Sequence, residues 1–149
     1  MTASRHARGR SILLVVEDNL ADVRLIQESL RDVSVVVDLR VVEDGEQAMA
    51  FLRRQGKYAD APHPDLILLD LNLPRKTGRE VLAEVKADQD LRRIPVVILS
   101  SSEAEEDIYM AYDMGANCYV TKPIGLDEFV LSTQMLVRFW LEVASLPEN

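Results

Sequence analysis

At 149 residues the chain is one ordinary domain, long enough for a single sizeable core and too short for two. A composition of 48% hydrophobic and 28% charged residues excludes disorder and membrane spanning, and a net charge of −8 opposes nucleic-acid binding, where Lys and Arg must neutralise phosphates. The single cysteine, Cys118, excludes an internal disulfide framework and fits a reducing compartment as a small packed residue.

Residues 1–10 carry Arg5, Arg8 and Arg10 and read as a solvated, flexible tail. They lack a signal-peptide pattern, and no apolar stretch approaches the roughly 18 residues of a membrane span, so the cytoplasm is expected by elimination. Ser11 to Val16 is an apolar run suited to a buried strand, ending at Glu17-Asp18. From Leu20, the residues Val23, Ile26 and Leu30 recur at helical spacing. Ser34 to Val42 places Val35, Val37, Leu39 and Val41 on one face and Asp38 and Arg40 on the other, a strand for the sheet edge.

Asp44 with Gln47 resembles a capping box opening a helix over Glu46–Gln55 that stops at Gly56. Residues 57–64, with Pro62 and Pro64, form a loop before the strand Asp65–Asp70. Pro74 and Gly78 mark a turn before a helix to about residue 88. Pro95–Ser100 is a fourth strand, Glu103–Met114 a helix closed by Gly115, and Cys118–Thr121 a short fifth strand. A final helix runs from Leu126 to Ala144, and residues 146–149 form a C-terminal tail. This βα alternation predicts an α/β, three-layer sandwich with a parallel five-stranded sheet in the flavodoxin-like order 2-1-3-4-5.

Ligands in such sheets bind at the carboxyl ends of the strands. Here those ends carry Glu17-Asp18, Asp70, Ser100 and, beyond Thr121, Lys122-Pro123. With adjacent strands about 4.8 Å apart, a lysine and a turn can span the four neighbours, so all five polar side chains can converge. Three close carboxylates resist joint ionisation, and a divalent cation relieves them; an all-oxygen donor set suits Mg²⁺ better than Zn²⁺. An acceptor carboxylate, a metal and an ammonium are what phosphoryl transfer asks for.

The stretches ILLVVEDN, DLILLDLNLPRKTGREVL, IPVVILSSS and GANCYVTKP resemble the receiver domain of bacterial two-component response regulators, over residues 11–145. The resemblance implies that Asp70 accepts a phosphoryl group from a sensor histidine kinase. It implies that Asp18, Asp70 and the Asn72 backbone carbonyl ligate Mg²⁺, with Glu17 acting through a water or a longer reach. Ser100 and Lys122 would bind phosphoryl oxygens, the Lys122-Pro123 bond would be cis, and Tyr119 would be the aromatic switch, turning inward when Ser100 is drawn to the phosphate. Asn72 and Ser102 flank the site and would tune hydrolysis.

The long loop GKYADAPHPD, the NCYVTK segment and the end VRFWLEVASLP are similar to stand-alone regulators paired with bacterial phytochromes. That group implies a homodimer through the fourth-helix to fifth-helix face, with Phe139, Trp140 and Leu141 as a dimer or partner surface, a Trp140 folded back on its own core being the alternative. Output is then expected through protein contacts with an unknown downstream protein, with a relay intermediate or phosphate sink as the alternative. An aspartyl-nucleophile phosphatase is disfavoured because Asn72 stands where a general acid is needed. A nucleotide or flavin module is disfavoured by the absence of GxGxxG and GxxxxGK[ST]. A degenerate receiver is disfavoured because every acidic and basic position is filled. The chain is thus expected not to be an enzyme beyond self-phosphorylation and autodephosphorylation.

Overall fold

The computed structural model describes residues 10–147, so the predicted tails lie outside the described residues except for Arg10 and residues 146–147. Arg10 opens a strand instead of closing a tail: β1 is Arg10–Val16. There follow α1 (Leu20–Ser29), β2 (Val36–Val42), α2 (Gly45–Leu52), β3 (Leu66–Leu69), α3 (Gly78–Ala87), β4 (Val96–Ser100), α4 (Glu105–Asp113), β5 (Cys118–Thr121) and α5 (Leu126–Arg138). All strand pairings are parallel in the order β2-β1-β3-β4-β5, the predicted flavodoxin-like arrangement. Among the described residues, no helix is long and apolar enough to cross a membrane.

Successive strand residues point to opposite faces. Leu14, Val16, Ile67, Leu69, Val96 and Ile98 pack with Met49 and Phe51 of α2 and Val81, Leu82 and Val85 of α3. Leu13, Val15, Leu66, Leu68, Val97 and Leu99 pack with Ile26 of α1 and Phe129 and Val137 of α5. Burial on both faces explains why the central strands read as unbroken apolar runs. At the β2 edge, Val35, Val37 and Leu39 join the α1/α5 core, whereas Val41 is 38% exposed and does not.

Helix ends departed most from expectation. Asp44 caps α2 by accepting from the Gln47 N–H at 2.8 Å, but the Gln47 side chain returns to the Glu43 N–H, so the box is incomplete. A complete box opens α3, where Thr77 and Glu80 satisfy each other's backbone. The helix α2 stops before Gly56 because Arg54 takes φ 54°, and the Gln55 N–H reaches the Ala50 carbonyl at 2.9 Å. The same closure ends α4 at Gly115, as predicted, with φ 101°. A short 3₁₀ turn, Gly56–Tyr58, occupies the start of the long loop. Gly78 is required for space rather than for its backbone angle. A Cβ there would lie 2.0 Å from the Asp70 carbonyl oxygen, so only glycine lets α3 start against that strand end.

The last helix is α only to Arg138 and continues as a π turn, Phe139–Val143, closed by the Ala144 N–H on the Phe139 carbonyl at 2.8 Å. This corrects the proposed surface. Leu141 is wholly buried, four residues beyond buried Val137 on the same helical stripe, and belongs to the α1/α5 core. Trp140 is half-buried against that core, with its ring edge-on to Phe139 at 5.5 Å. Only Phe139, 52% exposed, faces outward.

Candidate functional site

The alternation that builds the core also sorts the polar strand ends. Glu17 continues the face of Leu13 and Val15, Asp70 that of Leu66 and Leu68, and Lys122 that of Cys118 and Val120. All three therefore emerge on the α1/α5 side. Ser100 continues the face of Val96 and Ile98, on the opposite side, with Tyr119.

The Lys122 ammonium is the hub. Its Nζ donates to Glu17 Oε1 at 2.6 Å, Asp22 Oδ2 at 2.8 Å and Asp70 Oδ2 at 3.1 Å. Backbone N–H groups take the other oxygens: Asn19 N–H donates to Glu17 Oε2 and Asn72 N–H to Asp70 Oδ1, each at 3.1 Å. Exposed Asp18 completes a trio with Glu17 and Asp70 whose oxygens lie within 4.8 Å of one another. These carboxylates open into a hollow also lined by Asn72, Ser101 and Pro123.

The electrostatics follow from burial. Glu17 is 3% exposed, and desolvation, reinforced by the nearby Asp70 charge, pushes its carboxyl up to about 7 despite the Lys122 hydrogen bond. Burial disfavours the Lys122 ammonium too, but its bonds to Asp22 and Glu17 and the charge of Asp70 outweigh that, leaving its pKa above the ordinary lysine value. Four carboxylates against one ammonium leave the cluster formally at −3. A compact all-oxygen set with that excess charge and one exposed member fits a hard divalent cation that keeps waters.

Of the residues singled out in the sequence, Glu17, Asp18, Asp70, Asn72 and Lys122 meet at this hollow. Ser100 does not: it is fully buried, and its Oγ accepts from the Ser102 N–H at 3.3 Å. The Tyr119 ring already packs against the α2/α3 core, and its hydroxyl donates to the Ser102 carbonyl at 2.9 Å. The expected cis bond at Lys122-Pro123 is corrected: among the described residues no peptide bond is cis. Trans remains the lower-energy form even before proline, by about 0.5–1 kcal/mol. Asp22 was missed. In the sequence it looks like an acidic residue favouring a helix start, and the Asn19 cap accepts from its N–H. Nothing in its local sequence points to Lys122, which lies a hundred positions on.

Residues 13–134 match the family described as response regulator receiver domain. The response regulator Rcp1 of Synechocystis is 49% identical over 136 residues, which span 91% of this chain and 92% of that protein. The crystal structure of the phosphorylated cyanobacterial phytochrome response regulator RcpA has 52% sequence identity and a TM-score of 0.91, covering 93% of this chain and 99% of that one. The Mn²⁺-bound form of Rcp1 has 48% identity and a TM-score of 0.89, with 93% of this chain and 99% of that one covered. The fold that presents the carboxylate cluster thus has its counterparts among response regulators, and this chain belongs to the response regulator receiver domain family.

Proposed function

We propose that this chain accepts a phosphoryl group on Asp70 from a sensor histidine kinase of the phytochrome type and signals through protein contacts. The carrying observation is a single one: a buried lysine ammonium touches the Asp70 carboxylate 3.1 Å away, beside a trio of carboxylates able to hold a cation. Asp70 attacks phosphorus in line, the donor departs, and the acyl phosphate later hydrolyses. Asp18, Asp70 and the Asn72 carbonyl would hold Mg²⁺, with Glu17 assisting through a water or a longer reach. Bound there, the cation neutralises charge on the transferring group. Lys122 takes a second phosphoryl oxygen. Ser100 joins only by turning its hydroxyl away from the Ser102 N–H, a local movement that pulls on the loop held by Tyr119. The relatives described as phytochrome response regulators support the kinase assignment.

Labelling by acetyl phosphate tests the reading. Removing Mg²⁺ with a chelator, or substituting Asp18→Ala, is expected to slow phosphorylation on the order of 100-fold, because the transition state loses its main counter-charge. Mass spectrometry of the intact chain over time measures this. Rates equal to wild type in both cases would leave the trio without a role.

A second copy of the chain is the proposed partner of the outer α5 face. Leu131, Met135 and Phe139 recur every four residues and are 56%, 63% and 52% exposed, with Val143 of the π turn at 71%. Sedimentation analysis at micromolar concentration is expected to find a dimer that Phe139→Asp converts to monomer, since a charge at such an anchor lacks a partner. A monomeric wild type would exclude the dimer.

A further inference from the structure

Asp22 is the third carboxylate on Lys122, and neither the acceptor chemistry nor the metal trio uses it. It stands in the first turn of α1, one-fifth exposed, while the lysine is only 10% exposed. The other two partners of the ammonium, Glu17 and Asp70, are the same groups that crowd Asp18. A cation entering among them competes with Lys122 for oxygens. Asp22 does not belong to that contest, because it approaches the ammonium from the helix rather than from a strand end.

We infer that Asp22 is a positioning residue that parks the Lys122 ammonium on the α1 side, freeing Glu17 and Asp70 for the metal and competing with the phosphoryl group for the lysine. The inference rests on the reading of Asp70 as the acceptor. Two consequences of opposite sign follow. Without Asp22, the ammonium has only Glu17 and Asp70 to satisfy it, is held there, and excludes Mg²⁺ more strongly. Once Mg²⁺ is bound, the same loss removes a rival anion beside the phosphoryl group and leaves the lysine free for it. A residue needed only to keep α1 folded would weaken both events together.

The test uses the full chain, with Mg²⁺ binding followed by isothermal titration calorimetry and beryllofluoride as the phosphoryl mimic at saturating Mg²⁺. Asp22→Asn is expected to weaken Mg²⁺ and to tighten beryllofluoride, each roughly fivefold, the size of a change at a partly solvated ion pair. Asp22→Glu, which keeps the charge, should restore most of both. In a Lys122→Met background, Asp22→Asn should change Mg²⁺ affinity by less than about twofold, because nothing remains to be parked. Persistence of the full Mg²⁺ effect there would overturn the inference, reducing Asp22 to a distant charge. So would unchanged affinities in Asp22→Asn, or a joint fall of both. A wild type that binds Mg²⁺ but captures no beryllofluoride would instead overturn the acceptor reading.

Discussion

Incubation with acetyl phosphate and Mg²⁺ is expected to add one hydroxylamine-sensitive phosphoryl group to the wild-type chain and none to Asp70→Asn. The substitution changes a nucleophilic, negatively charged oxygen into an amide of nearly the same shape. One contact survives, since an amide oxygen can still accept from the Asn72 N–H that now lies 3.1 Å from Asp70 Oδ1. The fold should therefore hold, and the loss should be chemical. Indeed, the Asp70 charge is among the causes that push Glu17 up to about 7, so its removal relieves repulsion between buried acids. An unchanged or raised melting temperature together with abolished labelling is the expected pair of results. Undiminished labelling of the variant would place the acceptor elsewhere, and a collapsed fold would be at odds with the contacts around Asp70.

The architecture was legible because its causes are local and periodic. Strands buried on both faces, such as Ser11–Val16 and Pro95–Ser100, read as near-continuous apolar runs, and these are too short and too rich in Val, Ile and Leu for buried helices. Gly115 closes α4 as read, since few residues adopt its backbone angle without cost. Arg54 bears that cost and ends α2 early, which no propensity would suggest. Asp22 was hidden for another reason: its partner lies a hundred positions away, and only the finished sheet brings the two within 2.8 Å.

Facing was harder to read than position. Leu141 was located correctly in the chain and misjudged in direction, while Ser100, expected to be drawn to a phosphate, keeps its hydroxyl on the Ser102 N–H without one. Ser100 sits at a strand end beside the hollow, on the strand face it shares with Val96 and Ile98. Leu141 looked like part of an aromatic, exposed end, yet its place four residues after Val137 carries it into the core. In both cases the period was readable from the neighbours. A terminal residue inherits the face of its element even when its chemistry invites another role.

Removing the hub itself should separate metal binding from phosphoryl transfer. In Lys122→Met, the ammonium no longer competes for Glu17 and Asp70, so Mg²⁺ affinity is expected to rise. Phosphorylation by acetyl phosphate is expected to fall on the order of 100-fold, because a fixed cation beside the transferring group is lost. Stability should depend on pH in a matching way. Glu17, raised from 4.5 to about 7 by burial, binds its proton more tightly in the folded state, so its contribution is fully present below 4.5 and is lost as pH rises through about 7. Lys122 now limits that loss by donating to the ionised form. Without it, metal-free protein should lose more stability between pH 5 and 8 than wild type, and Mg²⁺, which needs the ionised carboxylate, should restore it. Thermal melts across that range, with chelator and with Mg²⁺, give the measurement. Weaker Mg²⁺ binding in Lys122→Met would mean that the lysine supports the metal rather than competing with it, and the assignment of the three contacts would have to be reversed.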